Sequence, residues 1–211
     1  MSGRPFTGFP NEALDFYDDL EADPTKSFWT AHRHVYEEAV RAPMLALTAE
    51  LAEEFGEPKV YRPYRDVRFS RDKTPYKDHQ GASCGEHYVQ VDAGGLLVAA
   101  GHYQMSAEQL ERYRAAVDDE ARGRLLADIV EQLERDGHAI AGEQLKTKPR
   151  GYPADHPRID LLRRKSLYAW RRYDGPPWLA TAETAAVVRA DWRAYAPLVG
   201  WLTDAVGPAG A

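Results

Sequence analysis

HYVQVDAGGLLVAAGHY, residues 87–103, is the stretch on which the fold turns. His87 to Asp92 alternates side chains in the two-residue period of a strand. Ala93-Gly94-Gly95 supplies turn chemistry, and Leu96 to Tyr103 is a second strand-like run. The three pieces predict a β-hairpin. The apolar part, Leu96 to Ala100, is far too short to span a bilayer, so no membrane partner is expected.

Outward from the hairpin the period becomes helical. Residues 11–21 place Leu14, Tyr17 and Leu20 at helical spacing. A second helix starts near Thr25 or Ser27 and is interrupted or kinked at Pro43. It resumes through Met44, Leu47, Leu51 and Phe55 and stops at Gly56. Lys59 to Ser70 reads as a strand whose first half Pro63 pushes toward an edge, and 72–86 reads as loop. Downstream, Ser106 and Gln109 have the spacing of a capping box that opens a helix. Another helix covers about 119–136 and ends at Gly137. One or two short strands within 138–148, a short helix at 157–164, a strand at 166–172 and a helix at 181–205 complete the chain. Helices, sheet, helices and sheet again predict one α+β domain over 1–211, with an antiparallel or mixed sheet flanked by helices.

The 211 residues are 44% hydrophobic and 28% charged, enough for a core under a mixed-sign surface. The opening MSGRPFTGFPNEALDF has no apolar signal region, and the single Cys84 forms no intrachain disulfide. A cytoplasmic, reducing location is the expectation.

The net charge of −6 is unevenly spread. Arg62, Arg65, Arg68, Arg71, Lys73 and Lys77 against Asp66 and Asp72 give residues 62–77 a charge of +4. Nine basic and two acidic residues give 146–172 a charge of +7, which leaves −17 on the remainder. Such an acidic body excludes broad nucleic-acid coating. Arginine forks and lysine point charges suit a phosphate or carboxylate, so Arg62, Arg65, Arg68, Lys73 and Lys77 are candidate ligands of a small anion. Tyr64 or Tyr76 would donate hydrogen bonds to it. Asp66, Asp72, His102 and His156 are candidate bases, although neighbouring arginines weaken an aspartate in that role. The alternative is structural: the Arg/Asp cluster fixes the loop, and the basic windows serve a noncatalytic module that contacts RNA ends or an acidic protein.

No Gly-x-Ser-x-Gly elbow, Gly-Lys-Ser/Thr phosphate loop or dinucleotide fingerprint occurs, so no cofactor is expected. No metal site is expected either, since His32 and His34 do not share a helix face. Cys84 is a nucleophile only if His79 or His87 activates it.

RPYRDVRFSRDKTPYK (62–77) resembles the R-x-x-RD-x-RFS-x-DK-x-PYK hallmark of a largely bacterial domain-of-unknown-function family, the one numbered twenty-four sixty-one. FTGFPNEALDFYDDL (6–20), FWTAHRHVY (28–36), YVQVDAGGLLVAAGHY (88–103) and LKTKPRGYPADHPRIDLLRRKSL (145–167) resemble its other segments. Phe28-Trp29 reverses the family's aromatic order, and Asp23-Pro24 replaces a frequent asparagine pair. The resemblance implies one α+β domain and brings no activity with it. Its His-Pro element marks His156 and Arg158 as candidate contributors from the second basic window.

Overall fold

The computed structural model describes residues 5–66, 68 and 74–209. Helix α1, Asn11–Ala22, buries Ala13, Phe16, Tyr17 and Leu20 along one stripe. Helix α2, Lys26–Val35, starts where the Thr25 side chain accepts a hydrogen bond from the Phe28 amide at 3.2 Å. It passes into a π-helical turn, Tyr36–Arg41, and then into α3, Ala42–Phe55. The irregularity precedes Pro43 instead of falling on it. Proline has no N–H for the carbonyl four residues back, so the ladder widens upstream and Pro43 sits in the first turn of α3. Gly56, at φ 104°, then ends the helix.

The strands are β1 (Pro58–Val60), β2 (His79–Cys84), β3 (His87–Asp92) and β4 (Gly95–His102). Next come α4 (Ala107–Asp118), α5 (Glu120–Arg135), β5 (Ala139–Ala141) and α6 (Ile159–Leu162). Strand β6 (Leu167–Tyr173), a 3-10 turn (Pro177–Ala180) and α7 (Glu183–Val206) finish the chain. The strands form a six-stranded antiparallel sheet in the order β1-β2-β3-β4-β6-β5, and the fold is α+β. Ser106 and Gln109 make both bonds of the capping box ahead of α4.

Two strand expectations are corrected. Of the strand expected over Lys59–Ser70, only Pro58–Val60 is strand among the described residues; beyond Pro63, Tyr64 makes a single bridge to Tyr76. Within the expected loop 72–86, His79–Cys84 forms β2. Gly81, Ala82 and Ser83 have little β preference of their own. They are held extended because β1 and β3 bond them on both sides, from Pro58↔Cys84 to Val60↔Ala82 and from His79↔Asp92 to Cys84↔His87.

Backbone contacts group the chain into two compact units. One runs to Val98 and adds Arg172–Ala190; the other holds Ala99–Arg171 and continues from Asp191. The first buries Phe16, Tyr17, Trp29, Tyr36, Leu47, Leu51, Val89 and Val91. The second buries Tyr113, Val117, Leu126, Leu162, Trp192, Tyr195 and Leu198. Among the described residues no helix is long and apolar enough to cross a membrane.

Candidate functional site

The two basic windows fall mainly in different units: 62–77 in the first, 146–171 in the second. In the first, the segment around Arg62 leaves β1 and returns to β2 as two short paired arms. The Arg65 amide donates to the Pro75 carbonyl at 2.9 Å, and the Lys77 amide donates to the Pro63 carbonyl at 2.8 Å. An aromatic floor carries the arms. Trp29 lies flat on Tyr76, with ring centroids 4.4 Å apart and planes 8° from parallel. Tyr64 and Tyr36 close around the same indole at 5.8 and 4.9 Å. Tyr36 donates to Gln80 Oε1 at 2.6 Å, and the Gln80 amide nitrogen donates to the Tyr61 and Gly81 carbonyls. Burial and then Glu37 push the Tyr36 phenol up to about 12, so it remains a donor. Tyr76 is buried in the stack, and the same desolvation, followed by Tyr64, raises its phenol.

The cations on these arms differ in how they are neutralised. Arg65 pairs with Asp78 at 3.0 Å, and the other Asp78 oxygen lies 2.7 Å from His79 Nδ1. Burial raises the Asp78 carboxyl, but the His79 bond and the charges of His79 and Arg65 outweigh it and hold the group low. Asp66 takes the exposed Arg68 guanidinium in a two-pronged bond of 2.9 and 2.6 Å. Those bonds lower Asp66, which makes it a weak base. Among the described residues neither Arg62 nor Lys77 has a carboxylate within ion-pair distance. The Lys77 ammonium sits 5.6 Å from the centre of the Tyr61 ring. Burial first, then Arg62 and Arg65, hold it below the usual lysine range. Asp72 and Lys73 lie outside the described residues.

Strand alternation puts His79, Gly81 and Ser83 on one face of the sheet beside Asp92, Gln90 and Tyr88. Tyr61 shares a hydrogen bond with Ser83 at 3.2 Å, which brings the Lys77 cluster to this face. Along β3, Tyr88 donates to Gln90 and Gln90 donates to Asp92, each at 2.9 Å. Arg172 grips both Asp92 oxygens at 3.0 and 2.5 Å. Desolvation raises Asp92, but the bonds from Arg172 and Gln90 prevail and keep it ionised. Gly94 leaves room for this pair, since a Cβ there would strike the Arg172 guanidinium. The Tyr17 hydroxyl is buried without a hydrogen-bond partner among the described residues. Burial raises it further than any neighbour does, followed by Tyr36, Asp78 and Asp92.

Sequence reasoning passed over Asp78, Asp92 and Gln90, and it counted Arg172 only among the nine basic residues of the 146–172 window. The available signal was the period-two spacing of Tyr88, Gln90 and Asp92 ahead of the Gly-Gly turn. Cys84 lies on the opposite, buried face. Desolvation pushes its thiol up to about 11, so it is a protonated, inert group instead of a nucleophile. Among the described residues no three His, Cys, Asp or Glu side chains are placed to hold one metal ion.

In the second unit His102 is wholly buried on β4. The Arg158 amide donates to His156 Nδ1 at 3.0 Å, so the proton sits on Nε2, 3.1 Å from Asp118. Both imidazole nitrogens are thereby occupied. Arg158 spends its donors on the end of α4: Nε on the Val117 carbonyl at 2.8 Å and Nη2 on the Asp118 carbonyl at 3.1 Å, with Glu120 beside it. A cation there closes orphan carbonyls and complements the helix dipole.

No curated protein matches the chain. The model of the family described as Conserved hypothetical protein (DUF2461) matches residues 12–201, and the chain belongs to that family.

Proposed function

We propose that the chain binds a small carboxylated or phosphorylated molecule at the cluster of Arg62, Arg65 and Lys77. The observation that carries this reading is crowded positive charge: among the described residues Arg62 and Lys77 have no carboxylate within ion-pair distance, Arg62 and Arg65 both press on Lys77, and the carboxylate that Arg62 acts on, Asp66, is held by Arg68. A bound anion relieves that repulsion. Arg65 and Arg68 are backed by Asp78 and Asp66, so they shape the site and add field to it. Tyr76 serves as its floor. His79, oriented through Nδ1 by Asp78, is the base that such a site would use for proton transfer.

One observation favours a second, noncatalytic reading. The Arg68 side chain is 76% exposed, and the neighbouring Tyr64 is 45% exposed, as in a surface that meets an RNA end or an acidic protein. Calorimetric titration of phosphate, malonate and a short RNA into wild type and Lys77→Met separates the two. The small-molecule reading predicts saturable binding of a compact anion, weakened about tenfold or more in the variant, as expected for a lost charge-assisted bond. Unchanged anion binding by a folded Lys77→Met protein overturns it. Binding of RNA alone, with a steep salt dependence, supports the second reading.

A further inference from the structure

In the second unit, α5 and the part of α7 from Asp191 onward leave an open groove of about 520 Å³ between them. Leu125 and Ile129 line it from α5; Pro197, Gly200 and Trp201 line it from α7. The Trp201 indole donates to the Arg122 carbonyl at 2.9 Å, which pins the end of α7 beside the start of α5. Pro197, N-terminal to Trp201, shares the groove with Ile129, C-terminal to Arg122, so the two helices run antiparallel. Leu125 is 54% exposed, a large apolar side chain left in solvent.

The α7 wall is built from poor helix formers. Pro197 lies inside the helix and brings no N–H to its ladder. Gly200 costs a helix interior about 1 kcal/mol relative to alanine. The fold does not demand that glycine: its φ is not positive, and a Cβ there would meet nothing within 4 Å beyond its own stretch of helix. A glycine so placed keeps a notch open to close approach from outside the chain. The charges at one end of the groove are unmatched as well. Arg122 on α5 and Asp204 on α7 both line it, and among the described residues neither has an ion-pair partner.

The two walls complement each other position by position. Arg122, Leu125 and Ile129 follow α5 over two turns, and Asp204, Gly200 and Pro197 follow α7 over the same length. A two-fold axis along the groove lays α5 of one copy on α7 of the other. It sets Arg122 against the second copy's Asp204, Leu125 against its Gly200 notch and Ile129 against its Pro197. Each contact then occurs twice, as a self-complementary interface requires.

We propose that the α5–α7 groove is where a second copy of this chain docks, forming a two-fold homodimer. Charge decides the occupant. An apolar ligand leaves both the guanidinium and the carboxylate unmatched, whereas a second copy converts them into two ion pairs at the rim of an apolar centre.

Sedimentation velocity of the full chain over a concentration series tests this. The weight-average mass rises with concentration toward twice that of one chain. Gly200→Leu fills the notch with a better helix former and weakens dimerisation about tenfold or more, with an unchanged circular dichroism spectrum. Arg122→Glu and Asp204→Arg each weaken it about tenfold or more, because each sets like charges together twice across the dyad. Both side chains are exposed. An acidic group suits the first turn of α5 and a basic group the last turn of α7, so neither reversal works against its own helix. Mixed in equal amounts, the two reversed proteins pair with each other and recover the dimer. A chain that stays monomeric at every concentration overturns the proposal and leaves the groove to a small ligand or a different protein. So does a dimer that Gly200→Leu leaves intact, or a pair of reversed proteins that does not recover on mixing.

Discussion

Asp92 ties the β3–β4 turn to the His79–Ser83 face of the sheet through one side chain. One oxygen accepts from the Gly94 amide at 2.9 Å and sets the turn, while both oxygens hold Arg172. The carboxylate is only 14% exposed, and removing its charge leaves the Arg172 guanidinium with Asp174, 86% exposed and 3.3 Å away, as its carboxylate partner among the described residues. Asp92→Asn is expected to cost about 1–2 kcal/mol in urea unfolding at neutral pH, since Asp174 still faces Arg172. The folded carboxyl lies below its unfolded value of about 4, so the unfolded state binds more protons between the two values and stability falls with pH there. The contribution is whole above about pH 4 and is lost as the pH drops through the folded value. Wild type should therefore lose its advantage over Asp92→Asn in acid, and the two stability curves should converge below about pH 4. Parallel curves would show that the Arg172 pair contributes nothing. Neither Asp92 nor Asp78 stood out in the sequence, because an aspartate's partners, one of them eighty positions away in Arg172, are fixed only by folding.

Strand β2 depends on a missing side chain. A Cβ on Gly81 would run into the Tyr88 ring and hydroxyl across the strand pair. Gly81→Ala should destabilise the protein by about 1–3 kcal/mol, the usual range for overpacking. Tyr88→Ala in the same chain should recover most of the loss. A double-mutant cycle with no coupling would refute this contact as the cause. The same glycine explains why β2 was illegible: Gly-Ala-Ser reads as loop until β1 and β3 flank it. The β3–β4 hairpin was legible because its alternation and its Gly-Gly turn are local signals, as is the Ser106 capping box. The π-turn before Pro43 was half legible. Proline announces a fault in the ladder, but where the ladder absorbs it is settled by the packing of Tyr36, Ala39 and Val40. Of the candidate site, the basic arms were visible as charge density. The division between Arg65 and Arg68, paired with carboxylates, and Arg62 and Lys77, with none in ion-pair distance among the described residues, was not, since ion pairs depend on distance instead of composition.

At the scale of the whole molecule, a chain of net charge −6 concentrates positive charge in two windows that belong mainly to different compact units. In the first, among the described residues, Arg65 and Arg68 pair with carboxylates, while Arg62 and Lys77 have none within ion-pair distance. Residual cations of this kind are unfavourable in the free protein and become favourable when an anion arrives. The measurement that tests this most directly is thermal unfolding of wild type and Arg62→Gln/Lys77→Met, with and without saturating phosphate. At a hundred times its dissociation constant a ligand adds about 2.7 kcal/mol, several degrees for a chain of this size. The account predicts that the double variant melts no lower than wild type without phosphate and gains clearly less on its addition. A double variant that melts well below wild type, yet gains as much from phosphate, would contradict the account: Arg62 and Lys77 would then be structural groups, and the anion would bind elsewhere.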